Sequence, residues 1–272
     1  MRRPDCHFGE RGGERMARTL ATGVGPLFAG WDEALIWACL DGCMGEAATD
    51  GRRPPRAARI TTGDFSFFAG EPDDGLIASA SAAIFVPRDA AWARAIGRVL
   101  GDGAERGVRY AICKEPAAFD RARLARLAAS LDGAYRLAPM DARLAALALS
   151  QPWSRDFCAL FDGPADYARR GIGVAVLRGE ELVAGASSYA VYGRARGAEG
   201  GARQRGIEIQ IDTREDHRRR GLATACGAAL IRACLARGLY PSWDAHDLRS
   251  VALAEKLGYR RKGPYPVYRR RD

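Results

Sequence analysis

The chain has 272 residues, 47% of them hydrophobic, and a formal net charge of +9 at pH 7. That is enough apolar material for a packed core in one large domain or two small ones, and no apolar run reaches membrane-spanning length. The positive charge is almost all arginine, with Lys114, Lys256 and Lys262 the only lysines in a chain rich in alanine and glycine; it reads as composition bias that favours small anionic ligands, not as a nucleic-acid stripe.

Residues 1–25 carry charge without the apolar core of a signal peptide and read as a disordered lead-in, with Met16 as an alternative start. Gly23-Val24-Gly25-Pro26 is its flexible end. Trp31 to Met44 reads as a buried helix and Gly45 to Arg56 as a turn-rich link. Arg59 to Ala69 reads as a strand, Leu76 to Ala80 as a short helix, and Ala82 to Val86 as a strand closed by Pro87. Ala90 to Leu100 is helical, Arg109 to Cys113 a short strand, and Phe119 to Leu131 a helix with Leu124, Leu127, Ala128 and Leu131 on one side. Alternating strands and helices make 26–132 an N-terminal α/β domain. Phe65, Phe67 and Phe68 are expected in its core, with the lining of a substrate pocket as the alternative.

Gly133 marks the expected boundary, with 133–272 as the second domain. Ala134 to Ala138 reads as its first strand, and Asp141 is a good N-cap for Ala142 to Leu149. Trp153 to Arg170 holds one or two helices. Gly171 to Arg178 and Leu182 to Tyr192 are strands joined at Gly179-Glu180-Glu181 as a hairpin. Gly171-Ile172-Gly173 lacks the third glycine of a dinucleotide fingerprint. Gly193 to Gly206, rich in arginine and glycine, reads as a mobile loop. Seven scattered cysteines without a C-x-x-C pair read as small buried residues of a reducing cytosol, and three histidines without metal-type spacing argue against structural zinc.

The stretch from Gly206 to Gly238 carries the chemistry. Ile207, Ile209 and Ile211 alternate with Glu208, Gln210 and Asp212, which is strand periodicity. One polar face on such a strand points to a wet cleft, since a strand covered on both sides is apolar on both. A basic turn, Arg218-Arg219-Arg220-Gly221-Leu222-Ala223, then opens a helix, and Gly238 is placed to end it. A helix N-terminus has unpaired amides and a positive dipole end, and glycine lets a ligand approach the backbone. An anion site follows, with an ordinary solvated strand-to-helix turn as the alternative.

Arg218 to Ala223 matches the R/Q-x-x-G-x-G/A loop of the GCN5-related N-acetyltransferases (GNAT). Tyr240-Pro241-Ser242-Trp243-Asp244-Ala245 then supplies the next strand, and Asp247 to Tyr259, DLRSVALAEKLGY, resembles that family's helix ending in leucine-glycine-aromatic. The GLATA, WDA and SVALAEKLGY wording resembles the branch that includes the zwittermicin A resistance acetyltransferase. Trp31-Asp32-Glu33 and Gly63 to Glu71 look like that branch's N-terminal half. The resemblance implies an α/β fold with a mixed sheet, a GNAT domain in the C-terminal half, and a smaller α/β domain before it that also fits a decayed copy of the same fold.

The resemblance further implies acetyl-CoA as co-substrate. The backbone of Ile211, Asp212 and Thr213 would bind pantetheine, amides of Arg219, Arg220, Gly221, Leu222, Ala223 and Thr224 the pyrophosphate, and Arg218 would order the loop. Glu208 is the candidate base, with a solvated or ion-paired carboxylate as the plain alternative. Asp244 and His246 are candidates to bind the amine or relay its proton. Relatives place a tyrosine general acid where this chain has Ala254, which leaves thiolate protonation to Tyr189, Tyr265 or water. The expected activity is a cytoplasmic N-acetyltransferase, monomer or homodimer, acting on a small-molecule amine such as an amino antibiotic or metabolite, with no membrane or specific nucleic-acid partner. The N-terminal half would help choose the acceptor. The alternatives are a non-catalytic acyl-CoA-binding or regulatory module and a protein- or ribosome-associated acetyltransferase.

Overall fold

The computed structural model describes residues 23–193 and 204–271. The described residues separate into two compact units, one of residues 110–191 and 204–263 and the other built chiefly from 23–109 and 264–271.

In the second of these, α1 (Ala34–Leu40), β1 (Glu46–Thr49), β2 (Ala57–Thr62), β3 (Phe65–Gly70), α2 (Asp74–Ala78), β4 (Ile84–Pro87) and α3 (Ala90–Leu100) follow in order. β2 and β3 are antiparallel and joined at Gly63-Asp64, where Gly63 has φ +58°. The expected single strand from Arg59 to Ala69 is therefore a hairpin, because the turn needs a left-handed residue and glycine supplies it. β1 pairs antiparallel with β2, and β3 pairs parallel with β4. The link expected over Gly45 to Arg56 thus contains a strand. Its sequence, Glu-Ala-Ala-Thr, has little β-propensity, and pairing with β2 supplies the order. Phe68, Phe85 and Trp92 stack in the core of this unit, while Phe65 is half-buried under Arg109. Gly25–Phe28 form a 3-10 turn with Val24 and Phe28 buried, so the expected flexible lead-in is anchored at Val24 while Gly23 and Pro26 stay exposed.

The other unit takes the end of β5, from Tyr110, and β6 to β11 except Tyr192. β5 (Ala104–Ile112) runs into it and leads to α4 (Arg121–Ala129), β6 (Arg136–Pro139), α5 (Ala142–Leu149), α6 (Pro164–Arg170), β7 (Gly173–Arg178) and β8 (Glu181–Tyr192). After residues 194–203 come β9 (Gly206–Thr213), α7 (Leu222–Ala236), β10 (Tyr240–Ser242), β11 (Asp244–Ala245), α8 (Leu248–Lys256) and β12 (Arg261–Arg270), whose end pairs antiparallel with β4. The Gly193–Gly206 loop lies mainly outside the described residues. Five strands form a sheet in the order β10-β9-β8-β7-β6. β7 and β8 form the expected antiparallel hairpin, closing at Arg178↔Glu181. β10 runs parallel to β9. The mixed α/β architecture read from the sequence is the one observed.

Local signals fix several ends. The Asp141 carboxylate accepts the Leu144 amide at 2.8 Å, capping α5. Gly238, at φ +67°, ends α7, and the Leu239 amide returns to the Cys234 carbonyl at 2.9 Å. α7 packs on α4, and at Gly227 a Cβ would lie 2.9 Å from the Leu257 side chain, which would have to shift to admit it. The six described cysteines are free, four of them buried.

Candidate functional site

β9 and β10 are paired over Gly206↔Tyr240, Ile207↔Pro241 and Ser242↔Glu208, and no further. The chain then breaks at Trp243, and β11 pairs with β5 instead, as Asp244↔Ala111 and Ala245↔Tyr110. The single strand expected from Tyr240 to Ala245 is thus two, which change partner at a buried tryptophan. Ile209 to Thr213 consequently extend past the last β10 pair, leaving that backbone edge of β9 without a ladder.

The residue at the fork is Glu208. The residue is 4% exposed, and Oε1 accepts the Asp244 amide at 2.7 Å. That amide is the first past the break, so a side chain takes over where the ladder stops. The other oxygen, Oε2, is buried and has no hydrogen-bond partner. Ser242, fully buried, faces Glu208 in register, and Lys114 Nζ donates to Ser242 Oγ at 2.6 Å. Burial pushes the Glu208 pKa above its ordinary 4.5, and the Asp244 carboxylate adds to the rise. The Lys114 cation opposes it most, followed by the Ser242 hydroxyl and the Asp244 amide.

Beyond β9 the backbone turns through Arg214 to Gly221 into α7. Arg219 has φ +60° and Gly221 φ +79°, so two left-handed residues flank Arg220. Left-handed residues in such a turn can present neighbouring amides to one point, the arrangement of an anion cradle. α7 is 15 residues long and has no side-chain cap at Gly221. Among the described residues, none accepts from the amides of Arg219 to Thr224. Arg218 to Gly221 are exposed, whereas Leu222 and Thr224 anchor the start of the helix in the core. Arg218 Nε donates to the Thr213 carbonyl at 3.2 Å, tying the loop to the end of β9.

The same turn is pinned from beneath. Buried His217 meets the Tyr135 hydroxyl at Nδ1 (3.0 Å), and Arg214 donates to its Nε2 at 3.0 Å. Arginine is donor only, so Nε2 is the unprotonated nitrogen. Arg214 also reaches Glu181 and Asp216.

The remaining expected residues fall as follows. Asp212 is half-buried, and its carboxylate accepts the Thr213 amide at 2.6 Å. Burial raises its pKa, against the Thr213 amide and Arg218. Thr213 Oγ1 is buried without a partner. Asp244 is brought to Glu208 through its amide, while His246 is exposed past the end of β11. Ala254 is fully buried within α8. Trp243 is core, edge-on to Tyr259, with its indole N–H donated to Ser250 at 3.1 Å. Lys114, Ser242 and the Tyr135–His217 pair carry no motif of their own. Lys114 carried one usable signal, as a lysine in a chain that otherwise uses arginine.

Two features fit a thioester carrier of the coenzyme A type: orphan amides at a helix start suited to a pyrophosphate, and an unladdered strand edge suited to an amide-bearing arm. A family model described as GNAT acetyltransferase matches residues 25–268. A solved GCN5-related N-acetyltransferase-like protein from Streptococcus suis 89/1591 is 40% identical, with a TM-score of 0.84, over 93% of this chain and 99% of that one. The uncharacterized N-acetyltransferase YdfB of Bacillus subtilis (strain 168) is 33% identical over 105 residues, which are 38% of this chain and 36% of that protein. This chain therefore spans only about a third of that relative's length in the match. A tandem GNAT protein from the clavulanic acid biosynthesis pathway, 10% identical with a TM-score of 0.50 over 94% of this chain and 95% of that one, shares the fold alone.

Proposed function

The chain belongs to the GNAT acetyltransferase family, and on that premise we propose that it transfers the acetyl group of acetyl-CoA to an amine on a small molecule. The observation that carries this reading is the run of uncapped amides from Arg219 to Thr224 beside the open edge of β9. Acetyl-CoA supplies an activated acyl group as a thioester. The amides of Arg219 to Thr224 bind its pyrophosphate, and the backbone of Ile211 to Thr213 binds its pantetheine arm. Arg218 holds the loop in shape for this through the Thr213 carbonyl.

Glu208 takes the acceptor ammonium's proton at Oε2, directly or through one water; the neutral amine then attacks the thioester carbonyl, the new C–N bond replaces the C–S bond, and CoA leaves as a thiolate protonated by Tyr189, Tyr265 or water. A carboxylate with a raised pKa is the better base, since proton transfer gains driving force as the two pKa values approach. The Asp244 amide fixes the carboxylate's orientation through Oε1, and Asp244 and His246 bind the acceptor's charge. The sequence likeness to the zwittermicin A resistance branch supports an amino-bearing antibiotic or metabolite as acceptor. The test is acetyl-CoA turnover against a panel of amines, with a crystal soaked in CoA to locate the carrier. Turnover with no amine, despite tight CoA binding, would instead favour a non-catalytic acyl-CoA-binding module. Buried Ala254, in the slot where relatives have a tyrosine acid, is the observation on that side.

A further inference from the structure

We propose that Lys114, working through Ser242, is a positioning residue that keeps Glu208 ionised, and so sets the pH at which the acceptor can be deprotonated. The inference rests on the reading of Glu208 as the base. It starts from a local imbalance: Glu208 is a buried carboxylate with one oxygen tied to the Asp244 amide and the other unpartnered. Such a group binds a proton unless a cation stands by.

Lys114 sits on the segment just after β5, 128 residues before Ser242 in sequence, and Nζ reaches Ser242 Oγ at 2.6 Å. An ammonium has no lone pair, so Ser242 is the acceptor of that bond. The serine's own proton is then left to donate elsewhere, and Glu208 lies opposite it in register. The charged groups around the carboxylate come from separate elements: Lys114 after β5, which favours ionisation, and Asp244 on β11, which opposes it. Ser242 on β10 adds a hydroxyl that favours the ionised form. A lysine here is also a point charge with rotatable donors, which one hydroxyl can accept without a planar fork having to fit.

The sign is definite. Removing the cation raises the Glu208 pKa, so Glu208 stays protonated to higher pH. The test uses the full chain labelled with ¹³C at glutamate Cδ, with the Glu208 signal assigned by its loss in Glu208→Gln. Its titration is followed in the wild type, Lys114→Met and Lys114→Arg without any ligand. We expect the Lys114→Met midpoint to move up by about one pH unit or more, with Lys114→Arg restoring most of it. In parallel, acetyl-CoA turnover is measured with ethanolamine, lysine methyl ester and spermidine, and the acid limb of the rate should move with the midpoint. CoA affinity and melting temperature report whether the variants remain folded. A Glu208 midpoint that ignores Lys114→Met overturns the proposal, as does a Lys114→Arg variant no nearer the wild type than Lys114→Met. Should the midpoint move while the rate limb stays fixed, Lys114 governs Glu208 and the base reading is what fails. Ser242→Ala supplies a second, milder variant that should raise the midpoint by less than Lys114→Met.

Discussion

The anion cradle makes its sharpest prediction at Gly221. A Cβ built there meets nothing within 4 Å, so alanine fits sterically and only its φ of +79° is unfavourable. That costs about 1–2 kcal/mol of stability, the usual penalty for a non-glycine residue in the left-handed region. The fold tolerates one such residue already, since Arg219 has φ +60°. Gly221→Ala should therefore melt lower yet bind CoA within about tenfold of the wild type. Gly221→Glu carries the same backbone strain and adds a carboxylate at the mouth of the cradle. Against a pyrophosphate charge about 4 Å away at an effective dielectric of about 20, repulsion is about 4 kcal/mol. That corresponds to about three decades in Kd. Calorimetric titration of CoA into the three proteins, beside melting curves without ligand, separates strain from occupancy of the seat. A Gly221→Glu protein that binds CoA as tightly as Gly221→Ala would refute the placement of the pyrophosphate on these amides.

Glu208→Gln should lower turnover about 10²–10⁴-fold and shift the surviving pH profile upward toward the acceptor's own ionisation; full activity with an unshifted profile removes Glu208 as base. The same variant tests stability: with its pKa raised above 4.5 in the fold, Glu208 contributes stability below 4.5 that is lost as pH rises through the folded value. The melting temperature of Glu208→Gln, relative to wild type, should thus improve as pH climbs over that window, and a constant difference would contradict it. Arg218→Ala loses the bond to the Thr213 carbonyl and should weaken CoA binding by about tenfold, the scale of one charged hydrogen bond; calorimetry that finds no change shows that the loop holds its shape without it. His217 has its pKa lowered, chiefly by burial, with Asp216 opposing. Its contribution is present above the ordinary value of 6.5 and is lost as pH falls through the lower folded value, so wild type should lose stability on acidification more steeply than His217→Gln in melts across that range.

What could be read ahead of the structure was whatever the chain encodes within a few residues. The Asp141 cap and the Ala90–Leu100 helix are complete local signals, and both ends of the latter match. The strand and loop from Ile207 to Leu222 were legible for the same reason, because period-2 alternation and a glycine turn lie side by side. Nothing local marks β1, whose Ala-Ala centre is ordered by β2. Nor does anything local end β10 at Ser242, since Trp243 marks a change of partner from β9 to β5, and the partner lies far away in sequence. The polar face of β9 was expected to line a wet cleft, yet Glu208 at its start is buried and only Gln210 and Asp212 are half-buried. Lys114 was visible as an oddity of composition but could not be placed, because its bond to Ser242 crosses 128 positions.

Glu208 joins the opening of the strands to the chemistry proposed for it. A parallel pair that continued past Ser242 would put the Asp244 amide into the β9 ladder and close the edge on which we propose the pantetheine arm lies. Instead Oε1 accepts that amide, so the chain can leave for β5 with no donor stranded. Filling Oε1 in this way leaves Oε2 as the unsatisfied atom at the fork of the two strands. On the proposed reading this is where the acceptor's proton is taken, so the hydrogen bond that holds the strands apart also aims the base. The two roles separate by substitution. Glutamine keeps a carbonyl for the Asp244 amide and loses the proton acceptor, so it should bind CoA normally and fail in turnover. Alanine leaves the amide buried and unpaired, at about 1–3 kcal/mol, and should lose CoA affinity as well. Equal CoA affinities for the two variants, measured by calorimetry, would mean that the fork stays open without Glu208 and that the side chain serves the proton alone.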